Sequence, residues 1–380
     1  MVNAMFNIPI TKPDLGEEEK RLIAHVIDSG WVSQGPKVAE FEEIFARYVG
    51  ARYAVATTSC TTALHAALSV SGIGPGDEVI VPSLSFIATA NSVIYCSATP
   101  VFIDVDPETC NIDVQKIEEA VTGKTKAIMP VHQMGLPADL DPIKKIAEKN
   151  KLLIIEDAAC AIGSAYKNTK IGGHGNIACF SFHPRKIITT GEGGMITTDD
   201  RTIAHQLRRF RHHGMSVSDI ERHMANTVII ETYPELGYNY RMTDMQAAMG
   251  IGQMKKLSFL LDARKQMARM YDNELGKIPH IRIPQVPSYA RHNYQSYWIE
   301  LLDSAPVDRN TLMAKLLEKG IATRRGIMAI HREPCYRAYA GIHLPNTDKL
   351  TDNTLLLPLY PALSAEEQTF IINSIKESLI

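Results

Sequence analysis

The chain has 380 residues, 45% hydrophobic and 22% charged, with 40 basic and 42 acidic side chains and a formal net charge of -2. This balance gives no bulk positive field, which argues against nucleic acid or an acidic membrane as a partner. The length suits about two domains, and no stretch approaches the roughly 18 apolar residues of a membrane helix. Six cysteines, Cys60, Cys96, Cys110, Cys160, Cys179 and Cys335, include no CxxC pair and read as free thiols of a reducing compartment. The opening stretch MVNAMFNIPITKPDLGEEEK meets acidic residues before a long apolar run develops, so a soluble, cytoplasmic protein is expected.

From about Tyr53 to Thr198 two textures alternate. YAVATTS, DEVIVP, TPVFIDV, KAIMPVHQ, KLLIIEDAA, IACFSFH and GMITT have the apolar, β-branched content of strands. TALHAALSVSG, DVQKIEEAV and DPIKKIAEKN, lying between them, have helical spacing. Near-continuous apolar strands separated by helices predict an α/β domain with a mainly parallel sheet covered on both faces. In such sheets ligands collect at the carboxyl ends of the strands. Farther on, Thr243 and Gln246 have capping-box spacing, and a long amphipathic helix runs from there towards Gly276. NYQSYWIELL, DRNTLMAKLLEKG and SAEEQTFIINSIKESL then predict a smaller α+β domain. The expected division is 1–254 for the large domain and 255–380 for the small one, with the long helix joining them rigidly.

Four segments at predicted strand ends carry candidate chemistry. In TTSCTTALHAAL a strand leads into hydroxyl residues and opens a helix, an anion site centred on Cys60 and Thr61. The same residues also read as ordinary N-capping. Asp157 ends the apolar strand of IIEDAAC, where a buried carboxylate needs a cation, several donors or an N-capping role. Phe86, in PSLSFIATA, reads either as a ring contact or as core. In SFHPRKIITTGEGGM, Ser181 closes a strand and Lys186 follows five residues later, before a glycine-rich turn. Pyridoxal phosphate needs a lysine amine, an anion cradle for its phosphate, and a carboxylate that keeps the pyridine nitrogen protonated. An aromatic face against the ring helps as well. These residues supply that set, although Lys186 alone also reads as a solvated surface lysine.

The chain resembles the nucleotide-sugar aminotransferases of the DegT/DnrJ/StrS group, pyridoxal-phosphate enzymes of the aspartate-aminotransferase fold. The matching stretches run through SGWVSQGPKVAEFEEIFARYVG, TSCTTALHAAL, GPGDEVIVPSLSFIATANSV, PVHQMGLPADLDPI, IIEDAACAIGS, SFHPRKIITTGEGGM and LGYNYRMTDMQAAMG, nearly the whole chain. The resemblance implies that Lys186 bonds to the cofactor's carbonyl and later shuttles protons. It implies that Asp157 pairs with the pyridinium nitrogen and that Phe86 stacks on the ring. Cys60, Thr61 and Ser181 would hold the phosphate, and Asn239 of GYNYR would reach it from a neighbouring subunit in an obligate homodimer with shared active sites.

Two positions depart from the resemblance. Cys160 stands where many relatives have Gln or His against the cofactor's ring oxygen, which puts some tuning there in question. Cys60 replaces a common glycine in the phosphate loop, a change that backbone donation survives. Relatives with histidine in place of the lysine are sugar dehydratases, so Lys186 argues for amine transfer.

The resemblance implies glutamate as amino donor and a keto sugar nucleotide as acceptor, a 4-keto-6-deoxy sugar above all. A ketocyclitol acceptor, a cofactor-dependent dehydratase and a non-catalytic regulator of the same fold are the alternatives. Trp31 and Ser33 match a segment bordering the substrate pocket, with Trp31 also reading as a core or interface aromatic. Arg325 and His331, in TRRGIMAIHREP, match a loop of the small domain that faces substrate; otherwise they are surface residues. The run RRFRHHG, Arg208 to Gly214, reads as a diphosphate contact or as a solvated face. His212 and His213 have no spaced partners of a metal site, so no metal is expected.

Overall fold

In a computed structural model, which describes residues 7–218, 222 and 224–379, the seven predicted strands form one sheet. They are β1 (Tyr53–Thr57), β2 (Glu78–Pro82), β3 (Thr99–Ile103), β4 (Thr125–Ile128), β5 (Leu153–Asp157), β6 (Ile177–Ser181) and β7 (Gly194–Thr198). Their order across the sheet is β1-β7-β6-β5-β4-β2-β3. β7 is antiparallel to both of its neighbours, and every other pair is parallel. The sheet is therefore mainly parallel, with GMITT as its one reversed strand. That reversal lets the 182–193 loop carrying Lys186 return at the same edge of the sheet, where a parallel neighbour would require the chain to cross back to the opposite edge.

Among the described residues eight helices accompany these strands: α1 (Glu17–Ser29), α2 (Pro36–Val49), α3 (Cys60–Val70), α4 (Ala88–Tyr95), α5 (Val114–Ala120), α6 (Leu140–Asn150), α7 (Arg201–Phe210) and α8 (Asp244–Leu275). On one face α2 and the first half of α8 pack over Phe41, Phe45, Phe180 and Phe182. The Phe45 ring lies edge-on to Phe180 at 5.0 Å and to Phe182 at 5.6 Å. Each such ring stabilises the fold by about 1.5–3 kcal/mol relative to exposure. On the other face α3, α4 and α7 bury Leu64, Ala67, Val93 and Leu207 against Val55, Val79 and Ile155.

A second, antiparallel sheet holds β8 (Ile281–Arg282), β9 (Tyr297–Leu301), β10 (Arg324–Arg325) and β11 (Thr354–Leu357) in the order β8-β9-β11-β10. With α9 (Arg309–Glu318), α10 (Pro345–Asn353) and α11 (Ala365–Ser378) it completes the smaller α+β unit. The core of this unit gathers Leu312, Ile371 and Leu355 with Met267, Tyr271 and Leu275 from the second half of α8. α8 thus belongs to both cores. Its 32 residues span about 48 Å. The expected capping box starts it: Thr243 Oγ1 accepts from the Gln246 N–H at 3.2 Å, and Gln246 Oε1 accepts from the Thr243 N–H at 3.0 Å. Ile8, near the start of the chain, also lies in the second core, held by a backbone bridge to Ile321. Among the described residues no helix is long and apolar enough to cross a membrane.

Candidate active site

The parallel strands put the carboxyl ends of β1, β2, β5 and β6 on one edge of the sheet, followed there by the first turns of α3 and α4. Register aligns Ser181 of β6 with Gly194 of β7, and Gly194 with Thr57 of β1. The end of β6 therefore lies one strand from the start of α3. Gly194 is required for that approach. A Cβ there would stand 2.4 Å from the Ser59 carbonyl oxygen and 2.7 Å from the Cys60 nitrogen.

The capping reading of TTSCTT holds for Ser59, whose Oγ accepts from the Thr62 N–H at 3.2 Å while Thr62 Oγ1 accepts from the Ser59 N–H at 3.0 Å. The helix begins at Cys60, two residues ahead of the sequence expectation. The leading N–H groups of Cys60 and Thr61 have no intrahelical acceptor, and together with the helix dipole they favour an anion. The Cys60 thiol turns inward to the Cys179 carbonyl at 3.5 Å, and burial pushes its pKa up. Cys60 thus offers its amide alone. Replacing Gly194 with Ala should displace the Ser59–Cys60 peptide and raise the dissociation constant of a phosphate-bearing cofactor about tenfold or more in a spectral titration. An unchanged constant would remove this peptide from the anion site.

Asp157 ends β5 and is only 5% exposed. Its Oδ2 accepts from Thr89 Oγ1 at 2.7 Å, and its Oδ1 accepts from the Ala159 N–H at 3.1 Å. The capping expectation is thus realised through Ala159. An ionised carboxylate has about four acceptor sites, so capacity for a further donor remains. Thr89, itself 2.7 Å from Ser85 Oγ, was missed by sequence reasoning although it lies three residues after Phe86 in the same stretch. A hydroxyl in the first turn of a helix was the only signal. Phe86 is 58% exposed at the mouth of that turn and is not a core aromatic.

Lys186 is half-buried in the loop between β6 and β7. Its Nζ donates to Cys160 Sγ at 3.0 Å. Burial depresses the amine's pKa, but Cys160, Cys60 and Asp157 outweigh it and the net direction is upward. The surface reading of Lys186 therefore fails, because the half-buried amine is hydrogen-bonded to the Cys160 thiol. The Cys160 turn is clamped by Asn293, whose Nδ2 donates to the Cys160 carbonyl at 2.7 Å and the Ile162 carbonyl at 2.8 Å.

Around this centre the remaining positions divide. Trp31 Nε1 donates to the Gln34 carbonyl at 3.0 Å, and its ring fills the space a Cβ on Gly35 would take. Ser33 is exposed, and its carbonyl accepts from the Asp244 N–H at 2.9 Å. Because Gln246 Nε2 donates to the Glu192 carbonyl at 2.9 Å, the start of α8 ties this loop to the glycine turn after Lys186. Arg325 is paired with Glu333 at 3.0 Å. His331 is 2% exposed, with Nδ1 2.8 Å from Ser83 Oγ and Nε2 3.5 Å from Asp348. Neither is a surface residue without a partner.

Much of the RRFRHHG run is paired within the chain, while Arg208 and His213 stay exposed. Arg211 and Arg208 pair with Glu42, and Arg209 pairs with Glu235. His212 lies 3.0 Å from an Arg241 nitrogen and bridges by backbone to Asn239. Asn239 itself is exposed, beside Tyr240, whose carbonyl accepts from the Thr58 N–H at 3.0 Å.

An amine beside a buried carboxylate, an anion cradle and an exposed aromatic match the donor set that pyridoxal phosphate requires. The fold and this site define a lysine-dependent pyridoxal-phosphate enzyme. The model of the DegT/DnrJ/EryC1/StrS aminotransferase family matches residues 13–376, and the chain belongs to that family. It is 40% identical to GDP-perosamine synthase of Caulobacter vibrioides over 375 residues, 98% of each chain. It is 39% identical to the spore coat polysaccharide biosynthesis protein SpsC of Bacillus subtilis, covering 97% of this chain and 96% of that one. The Spr1654 protein of Streptococcus pneumoniae, solved in a PLP form, superposes with a TM-score of 0.91 at 28% identity, covering 98% of both chains. The protein is a pyridoxal-phosphate-dependent aminotransferase.

Proposed function

We propose that this aminotransferase moves an amino group from glutamate to a keto sugar carried on a nucleotide diphosphate, a 4-keto-6-deoxy sugar in the first instance. The observation that carries the chemistry is the convergence of Lys186, Cys160 and Asp157. The likeness to GDP-perosamine synthase supports the sugar. Bound at this site, the cofactor supplies a carbonyl that takes up the donor's nitrogen and a ring that delocalises negative charge. Asp157, oriented by Thr89, keeps the ring nitrogen protonated and so strengthens that delocalisation. The amides of Cys60 and Thr61, with Ser181, hold the phosphate, while Phe86 covers one ring face. Lys186 Nζ takes the proton from the donor's α-carbon. In the second half reaction it delivers a proton to the sugar carbon that has received nitrogen. Cys160 meets the same amine through a thiol, a weaker hydrogen-bonding group than an amide or imidazole.

Glutamate should convert the visible band of the holoenzyme to a near-ultraviolet one, and a 4-keto-6-deoxy nucleotide sugar should restore it. A band that glutamate leaves untouched would sink the donor assignment. Restoration by a ketocyclitol but by no nucleotide sugar would sink the acceptor.

The active form in this reading is a homodimer in which Asn239 completes the partner's phosphate site. Exposed Val228, Ile230 and Leu236, just ahead of it in the chain, support a partnered surface. Mixing Lys186→Ala with Asn239→Ala protein should recover activity above either parent, since one hybrid site is intact. No recovery, with subunit exchange verified, would place each site within one chain.

A further inference from the structure

Both ends of Lys186 are tied to one short segment of chain. After β8 the chain returns to the larger unit, where Ala290 and Arg291 pair antiparallel with Tyr166 and Ala165. It then passes the Cys160 turn before starting β9 at Tyr297. Asn293 is 4% exposed and uses its whole side chain there. Its Nδ2 donates to the Cys160 carbonyl at 2.7 Å and the Ile162 carbonyl at 2.8 Å, and its Oδ1 accepts from the Gln295 N–H at 2.9 Å. Two donors and one acceptor on a short stem are what an amide offers, and neither a carboxylate nor an apolar side chain can replace them. The niche leaves room for nothing larger. Gly135 has a φ of +96°, and a Cβ on it would stand 1.8 Å from Asn293 Oδ1.

Two residues later, Gln295 Nε2 donates at 2.9 Å to the Arg185 carbonyl, which belongs to the peptide bond that Lys186 hangs from. The Lys186 N–H, on the other side of that bond, donates to the His183 carbonyl at 2.8 Å. From behind, Arg264 of α8 is 2% exposed and donates through Nη1 to the Gln295 carbonyl at 3.0 Å and the Tyr294 carbonyl at 3.3 Å. A charged donor makes the stronger kind of hydrogen bond, so the segment is held to the long helix that both cores share. The contacts close a ring: Lys186 Nζ to Cys160 Sγ, the Cys160 carbonyl to Asn293, Asn293 to Gln295, and Gln295 to the peptide of Lys186.

With Lys186 as the reacting amine, a reading on which this inference rests, we propose that Asn293 and Gln295 are its positioning residues. Asn293 aims the thiol that meets the amine, and Gln295 fixes the peptide from which the side chain springs. A lysine amine rides on a flexible four-carbon stem. Misplacing a reacting group by about 1 Å costs about 10² in rate. Anchoring the stem at its root and at its tip removes much of that freedom before the substrate arrives. Both residues act through Lys186 and Cys160. Neither figured among the sequence candidates, because nothing in NYQSYWIELL distinguishes these amides from ordinary polar residues ahead of a strand.

Asn293→Ala and Gln295→Met test this, each alone and combined with Lys186→Ala. The second keeps the length of a half-buried side chain and removes only its donor. Holoenzyme is mixed rapidly with L-glutamate and loss of the visible band is followed. The limiting rate should fall about 10-fold in Gln295→Met and about 10²-fold in Asn293→Ala, while the constant for glutamate stays within about twofold. Growth of the band after pyridoxal phosphate is added to unloaded protein should slow by similar factors, since the same amine must reach the carbonyl. In the Lys186→Ala background, with methylamine supplying the rate, neither substitution should cost anything further. Wild-type rates in both single variants overturn the proposal. Equal losses with and without Lys186 overturn it too, because the segment would then only support the fold. A wild-type band in Lys186→Ala overturns the reading of Lys186 and the positioning with it. If glutamate does not discharge the wild-type band, the donor reading falls, and the rate of band growth still decides the role of Asn293 and Gln295.

Discussion

Lys186→Ala should abolish transamination while leaving the fold and the phosphate cradle in place. Among the described residues no other basic group donates to Cys160, so no neighbour can take over proton transfer at the same point. Positioned proton transfer contributes about 10²–10⁴ in rate, and the covalent link to the cofactor is lost as well. The glutamate half reaction should therefore slow by at least about 10⁴-fold, measured by rapid mixing at saturating cofactor. The visible band of the wild type should be absent, although the cofactor should still be retained by its phosphate. Exogenous small amines should restore part of the rate, since they replace the missing base without repairing structure. A Lys186→Ala protein that keeps the wild-type band and rate would place the reacting amine elsewhere.

Asp157→Ala is the second large effect and acts at the opposite end of the ring. It removes the acceptor of Thr89 Oγ1 and of the Ala159 N–H together with the charge that, in the proposed reading, would hold the pyridinium proton. Deleting one partner of a buried charged pair costs about 3–5 kcal/mol, which corresponds to roughly 10²–10⁴ in rate. The loss should appear in both half reactions, because both depend on the ring as an electron sink. Thr89→Val keeps the carboxylate and removes one oriented donor, so about tenfold is expected from a single hydrogen bond. Equal losses in Asp157→Ala and Asp157→Asn would show that charge decides the effect. Full activity in Asp157→Asn would show that an acceptor of any kind suffices.

Local chemistry along the chain was enough to predict the sheet and where along it the candidate residues stand. The seven strand runs, the capping box at Thr243 and Gln246, and the placement of Asp157 and Lys186 at strand ends follow from periodicity, capping and the cost of burying a carboxylate. Strand direction was beyond that reading. GMITT is as apolar as its neighbours, and its reversal depends on the loop before it returning at the same edge of the sheet and on pairing with β1, a contact across roughly 140 residues. The role of Gly194 was hidden for the same reason, since only the packed sheet brings Ser59 against it. Side chains that act through others were equally invisible. Thr89 finds Asp157 across 68 positions, and Asn293 finds the Cys160 turn across 133. Arg324 and Arg325 are indistinguishable as letters, and only the fold pairs one of them with Glu333. Residue type and spacing act within a few positions, whereas partner choice among equivalent charges depends on contacts that form only when distant segments meet.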